Sequence, residues 1–329
     1  MPPPKTDLRL SVLDTSPIVQ GSTARQALHN TVELARFAEE LGYHRYWVPE
    51  HHSMRGVASS APAVLVGRIA AATRRIRVGS GGVLLPHHAP LVVAEQFGTL
   101  EALHPGRIDL GLGRAPGGPP HAAAAIRGSR VPDDVPFGER LRELLSYFDP
   151  AEGQSVTAVP AVGNAPRVWI LGSSAASAEL AGSVGLPYAF AHHLNPEGLE
   201  AVRVYRDSFQ PSPMSPAPQV MISVSVIAAD TDERAEWLAG PARLKVFSRK
   251  RGNRILLPSP DDAAAYPYTS EDRAEIAARA HSVVVGSPAT VRGRLESLVG
   301  ETGADEVMVT TPVYHHADRL LSYELLAAP

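Results

Sequence analysis

The chain has 329 residues, 44% of them hydrophobic, which is enough to bury a large core. A formal charge of −3 leaves no cationic footprint for nucleic acid or for an anionic membrane surface. With no cysteine, disulfides, thiolate catalysis and thiolate metal sites are excluded.

The N-terminal run Met1-Pro2-Pro3-Pro4-Lys5-Thr6-Asp7 lacks the apolar stretch of a secretory signal. No apolar run approaches the ~20 residues that span a bilayer, so a soluble, cytoplasmic protein is expected. Residues 8–14 predict a first strand. Over 24–41, Leu28, Val32, Leu34, Ala35, Ala38 and Leu41 recur at helical spacing. Gly42 stands where a left-handed helix terminus wants glycine, and 45–49 resumes as a strand. Further strands are expected at 76–85, 107–113, 167–171, 187–191, 219–229 and 305–311. Gly185 and Gly303 repeat the helix-ending punctuation before two of them. Helical runs fall at 61–73, 91–103, 137–148, 175–184, 197–209, 231–246, 289–299 and 317–326.

Eight strands, each followed by a helix, imply a parallel sheet covered by helices. Eight units in this length favour closure into a (β/α)8 TIM barrel, read as a single domain over 1–329. Two segments break the rhythm. Residues 150–166 form a proline- and glycine-punctuated excursion before the fifth strand. Residues 248–287 form a longer insertion between the seventh and eighth strands, with a short helical stretch near 271–280. It reads either as a surface loop or as a mobile lid near the barrel mouth.

Barrel enzymes carry their chemistry at the carboxyl ends of the strands. Four histidine pairs, His51-His52, His87-His88, His192-His193 and His315-His316, each fall at or just beyond such an end. Zinc is the obvious reading, but neighbours in an extended segment point to opposite faces, so one histidine of each pair reaches a common point. No His-Glu-x-x-His or His-x-His spacing is present, and no metal site is expected. One or two imidazoles are expected instead to move protons or to bond a ligand near neutral pH. Glu50 precedes the first pair and could set a tautomer or raise an imidazole pKa, or belong to a purely structural polar cluster.

Gly79-Ser80-Gly81-Gly82 interrupts an apolar strand, which suggests a bulge or a flat ligand close to backbone. Gly111-Leu112-Gly113-Arg114-Ala115-Pro116-Gly117 is not a dinucleotide fingerprint, because its third glycine falls one place late. Arg114 could meet a phosphate or carboxylate, or be a solvated turn residue. Gly172-Ser173-Ser174-Ala175-Ala176-Ser177 leads from a strand into a helix, either as a phosphate cradle or as a simple serine cap. A phosphate-bearing cofactor would explain both together.

These residues carry a resemblance. The run from Tyr46 to His52, the stretch from Val78 to Pro90 and the motifs between Leu100 and Gly117 resemble the luciferase-like flavin monooxygenases. The likeness continues through 169–177, 185–193 and 285–311. It departs after Gly117, where Gly118-Pro119-Pro120 replaces the Thr-Asp-Gln common in close relatives.

The resemblance implies that His51 is the catalytic histidine, assisting the oxygen chemistry of a reduced flavin. It places Gly81 and Gly82 at a non-proline cis peptide behind the flavin ring. It puts Arg114, Ser173, Ser174 and Ser177 on the phosphate of FMN, with His192 and His193 near the ring. It further implies reduced FMN from a separate flavin reductase, O2 as co-substrate, a small organic substrate and a homodimer. An F420-dependent oxidoreductase, a non-catalytic flavin-binding protein and a metal-dependent hydrolase stand as rivals.

Overall fold

The computed structural model describes residues 8–115, 117–128, 135–278 and 282–328. Pro116 of the arginine turn, the leading Met1–Asp7 run and the last residues of the helix expected near 271–280 lie outside them.

All eight predicted strands are present and run parallel. They are β1 (Leu10–Leu13), β2 (Arg45–Val48), β3 (Arg77–Leu84), β4 (Ile108–Gly113), β5 (Arg167–Gly172), β6 (Tyr188–Phe190), β7 (Val220–Ala228) and, last in the chain, β9 (Glu306–Thr310). Each pairs with its sequence neighbour from β1 to β7, β7 pairs with β9, and β9 pairs with β1, so the ring closes. A further strand, β8 (Val284–Gly286), adds to the outer end of β7 through Val226 and Val284. Helices cover the ring. On the first half lie α1 (Ala24–Glu40), α2 (Pro62–Ala72), α3 (Pro90–Leu103), α4 (Pro120–Arg127) and α5 (Phe137–Ser146). On the second half lie α6 (Ala175–Val184), α7 (Glu200–Ser208), α8 (Asp232–Lys250), α9 (Pro260–Ala264), α10 (Ser270–Ala277), α11 (Pro288–Thr302) and α12 (His316–Ala327).

The strands are buried on both faces: all four residues of β2 and all nine of β7 are buried, as a helix-covered parallel sheet requires. Tyr46, Val48, Ile108, Leu110 and Phe190 face outward into the large core shared with the helices. Leu13, Trp47, Trp169, Ala189, Met221 and Met308 face inward and plug the ring. The Trp47 and Trp169 rings meet edge to face at 5.6 Å. Below this plug, at the strand starts, the interior is ionic. Arg45 bonds Asp109 at 2.8 Å and Glu306 at 2.7 Å, and Arg77 bonds Asp109 at 2.6 Å. Trp47 Nε1 donates to Asp109 at 2.9 Å, which links plug and floor. With both lower layers filled, the open end of the barrel is the rim where the strands finish.

The insertion sits on that rim. It starts after β7, and α8 runs to Lys250, past the 231–246 the sequence suggests. Beyond it Leu257 bridges Val19 in the exit loop of β1, and Gln20 N–H donates to Leu257 O at 2.9 Å. Strand β8 and helices α4 and α9 have no counterpart among the predicted elements. No described helix is long and apolar enough to cross a membrane.

Candidate active site

Strand register brings the exits level. Val48 pairs with Ser80, Gly81 with Gly111, Leu112 with Ile170 and Gly172 with Phe190. His51, Arg114, Ser173, Ser174 and His193 each follow one of these ends, so one rim collects them.

His51 lies in the loop after β2, its N–H donating to Ser59 O at 3.0 Å. Its Nδ1 is buried with no partner. Burial, and then the neighbouring His52, hold its pKa below the ordinary imidazole value, while Glu50 pulls weakly the other way. The ring is therefore neutral near pH 7, with an idle nitrogen free to bond a ligand. Glu50 does not bond it. The carboxylate instead accepts from Nε2 of His52 at 2.7 Å and of His88 at 2.8 Å.

The Gly81-Gly82 peptide is cis, and the β3–β4 register slips between Gly81 and Val83. Side chains have no room there. A Cβ on Gly81 would come within 2.7 Å of Leu13 Cδ1, and one on Gly82 within 2.7 Å of Gly111 O. The loop after β4 then folds back on the loop after β2, with His52 N–H donating to Gly117 O at 3.0 Å.

Arg114 is exposed at the end of β4. At the neighbouring exit, that of β5, Ser174 starts α6, also exposed, and Ser173 is half-buried. Ser177 turns back under the helix start, its Oγ donating to Ser174 O at 2.7 Å and lying 3.1 Å from Tyr188 Oη. Gly172 makes room for it, since a Cβ there would overlap Ser177 Oγ. Asn195 Nδ2 donates to Ser173 O at 2.9 Å and ties the β5 exit to that of β6.

The two histidines after β6 part company. His193 Nδ1 meets Ser223 Oγ of β7 at 2.8 Å, and the ring lies close enough to His51 to feel its charge. Burial drives its pKa down to about 4 against the pull of the Ser223 carbonyl, and the like charges of His192 and His51 add to the depression. His192 instead shares a face with Phe190, the rings 6.4 Å apart, on the side of the outer core. His315 and His316 stand at the start of α12, against Tyr314 and 3.5 Å from Glu33 respectively. Among the described residues no group of three or more histidine, aspartate or glutamate side chains could hold a metal ion.

A family model described as luciferase-like monooxygenase matches residues 8–306. The luciferase-like monooxygenase of Escherichia coli K12 is 43% identical over 320 residues, covering 97% of this chain and 96% of its own. The chain belongs to the luciferase-like monooxygenase family. With that membership goes the class of activity, flavin-dependent oxygenation. The N-acetyl-S-alkylcysteine monooxygenase of Bacillus subtilis is 36% identical over 327 residues, with 97% of each chain covered. Among solved structures, apo-MsnO8 matches with a TM-score of 0.92 at 43% identity, again over 97% of each chain.

In this luciferase-like chain, sequence reasoning missed the residues that act from behind. Tyr188, Asn195 and Ser223 brace the serines and His193; His88 was singled out as a rim histidine, but not as the partner of Glu50. Tyr188 and Ser223 stand inside largely apolar strands, where a polar side chain is the available signal, and β7 carries a second one in Ser225.

Proposed function

We propose that this protein is a two-component monooxygenase that binds reduced FMN in the rim and uses O2 to oxygenate a small organic substrate. The observation that carries the reading is the buried, unpartnered Nδ1 of His51, on the same rim as exposed Arg114 and Ser174. A buried polar atom left without a partner costs about 1–3 kcal/mol, so a ligand that bonds it is favoured. The donor set suits a flat phosphorylated group. Arg114, Ser173 and Ser174 would grip the phosphate, Ser177 would hold the helix start in place, and the bare Gly81-Gly82 segment would back the ring. Reduced FMN, when bound, would supply the electrons that activate O2. His51 holds or accepts a proton at Nδ1, and His193, kept neutral by burial, lines the same mouth without adding charge. Leu13, Trp47 and Met308 close the barrel beneath and exclude water from that side.

A separate reductase would deliver the reduced flavin. Exposed Val64 on α2 and Val92 on α3 give the homodimer a surface to bury. The name of the Bacillus subtilis relative makes N-acetyl-S-alkylcysteines the first thioethers to test as substrates.

Titration with oxidised FMN, reduced FMN and F420, followed by tryptophan fluorescence, tests the cofactor: binding of F420 alone would overturn the reading. Stopped-flow absorbance then follows reoxidation of bound reduced FMN by O2. His51→Ala is expected to change that rate by about 10²-fold, the lower range for loss of a proton-transfer group. Unchanged kinetics would reduce the protein to a flavin binder.

A further inference from the structure

The exit of β2 carries a carboxylate that the proposed chemistry does not use. Glu50 exposes no side-chain surface. Its Oε1 accepts from Nε2 of His52 at 2.7 Å and from Nε2 of His88 at 2.8 Å. Its Oε2 accepts from the Leu84 backbone N–H at 2.9 Å. One side chain thus joins three segments: its own loop through His52, the end of β3 through Leu84, and the turn beyond β3 through His88.

Burial by itself would raise the Glu50 pKa. The hydrogen bond and charge of His88 outweigh it, together with the bonds from His52 and Leu84, and hold the carboxyl below its ordinary value. An ionised carboxylate only accepts, so three donors suit it, and each imidazole must carry its proton on Nε2. The groups facing it are His52, His88 and the Leu84 N–H. His51 feels its charge, and the His87 ring lies 6.5 Å from that of His52.

His51 sits in sequence between Glu50 and His52, the two ends of one of these bonds. The His51 and His52 N–H groups are spent on Ser59 O and Gly117 O, both at 3.0 Å. Since the His51 ring has no partner at Nδ1, its frame has to place it. Leu84 is two residues beyond Gly82, so the same carboxylate sets the spacing between His51 and the bare segment of β3.

We propose that Glu50 is a positioning residue for His51, locking the β2 exit onto the end of β3 and thereby setting where the His51 imidazole meets the flavin. This rests on the reading of His51 as the reactive imidazole.

Glu50→Gln tests it in the FMN-loaded protein. A carboxamide has one acceptor oxygen and cannot serve two imidazoles on one side and Leu84 on the other. Histidine-selective 15N NMR reads the tautomers of His52 and His88, and stopped-flow reoxidation of bound reduced FMN is followed across pH. The expected result is loss of the fixed Nε2–H tautomer, a displaced pH profile and a rate changed roughly ten- to a hundredfold, as when a metal-bound imidazole loses its orienting partner. FMN affinity, set by Arg114 and the serines on other exits, is expected to stay near wild type.

His88→Ala removes one donor from a segment that does not carry His51. It is expected to move rate and pH profile in the same direction by less, and it decides the matter if Glu50→Gln does not fold. An unchanged rate and pH profile, with NMR showing the bonds lost, would overturn the proposal. So would an effect confined to melting temperature and FMN affinity. His51→Ala separates the two readings: if it changes the reaction and Glu50→Gln does not, only the role of Glu50 falls.

Discussion

At the scale of single residues, an imidazole is defined by the face it occupies. His193 is turned into the barrel mouth and its pKa falls to about 4 through burial, whereas in an unfolded chain the value is near 6.5. Between those values the unfolded chain binds the proton and the folded one resists it. Stability is therefore complete above about pH 6.5 and is lost as pH falls through the folded value near 4. Melting temperatures at pH 7, 5.5 and 4.5 are expected to drop less for His193→Gln than for the natural protein; equal drops would contradict this assignment. The pairing of histidines at strand ends was plain in the sequence, and so was the rule that neighbours diverge. Which member of a pair turns inward depends on partners distant in sequence, as Ser223 is for His193.

At the scale of elements, β3 and β4 approach more closely than side chains allow. Gly82 faces Gly111 O, a backbone atom that cannot swing aside, and a Cβ at Gly111 would come within 2.2 Å of Ser80 O. Gly82→Ala is expected to cost about 2 kcal/mol or more through overpacking, read from urea unfolding, and to weaken FMN binding. A stability within experimental error of the natural protein would show that the strands can part. The glycine cluster announced this closeness, and the strands and most helices were legible from apolar periodicity. Three features were not. Strand β8 has three residues, too few to show a period. Helix α4 opens on Pro119-Pro120, which reads as loop until its Pro120 is seen at the first helical position. Helix α9 has five residues, too few to show a helical period, whereas α8 was read through Pro241 and only its last turn was missed.

At the scale of the whole molecule, the outer surface of the α2–α3 region bears valines that the barrel does not need. Val64 is 75% exposed and Val92 44%, while Val66 and Val93 beside them are fully packed. A homodimer through this face predicts that Val64→Glu shifts the protein toward monomer in light-scattering chromatography without altering its melting profile at low concentration. A natural protein that elutes as monomer at all concentrations would remove the dimer. Neither valine departs from helical apolar spacing, so the sequence gives no sign which of them the barrel buries.

The order of apolar runs and turns determined the closed parallel ring, and with it the rim on which His51, Arg114 and the serines stand, because periodicity and chain direction are local properties. The ionic floor of Arg45, Asp109 and Glu306, and the grip of Glu50 on His88 and Leu84, join residues tens to hundreds of positions apart. Ring closure decided those partners, since the register of eight strands sets which buried charges meet.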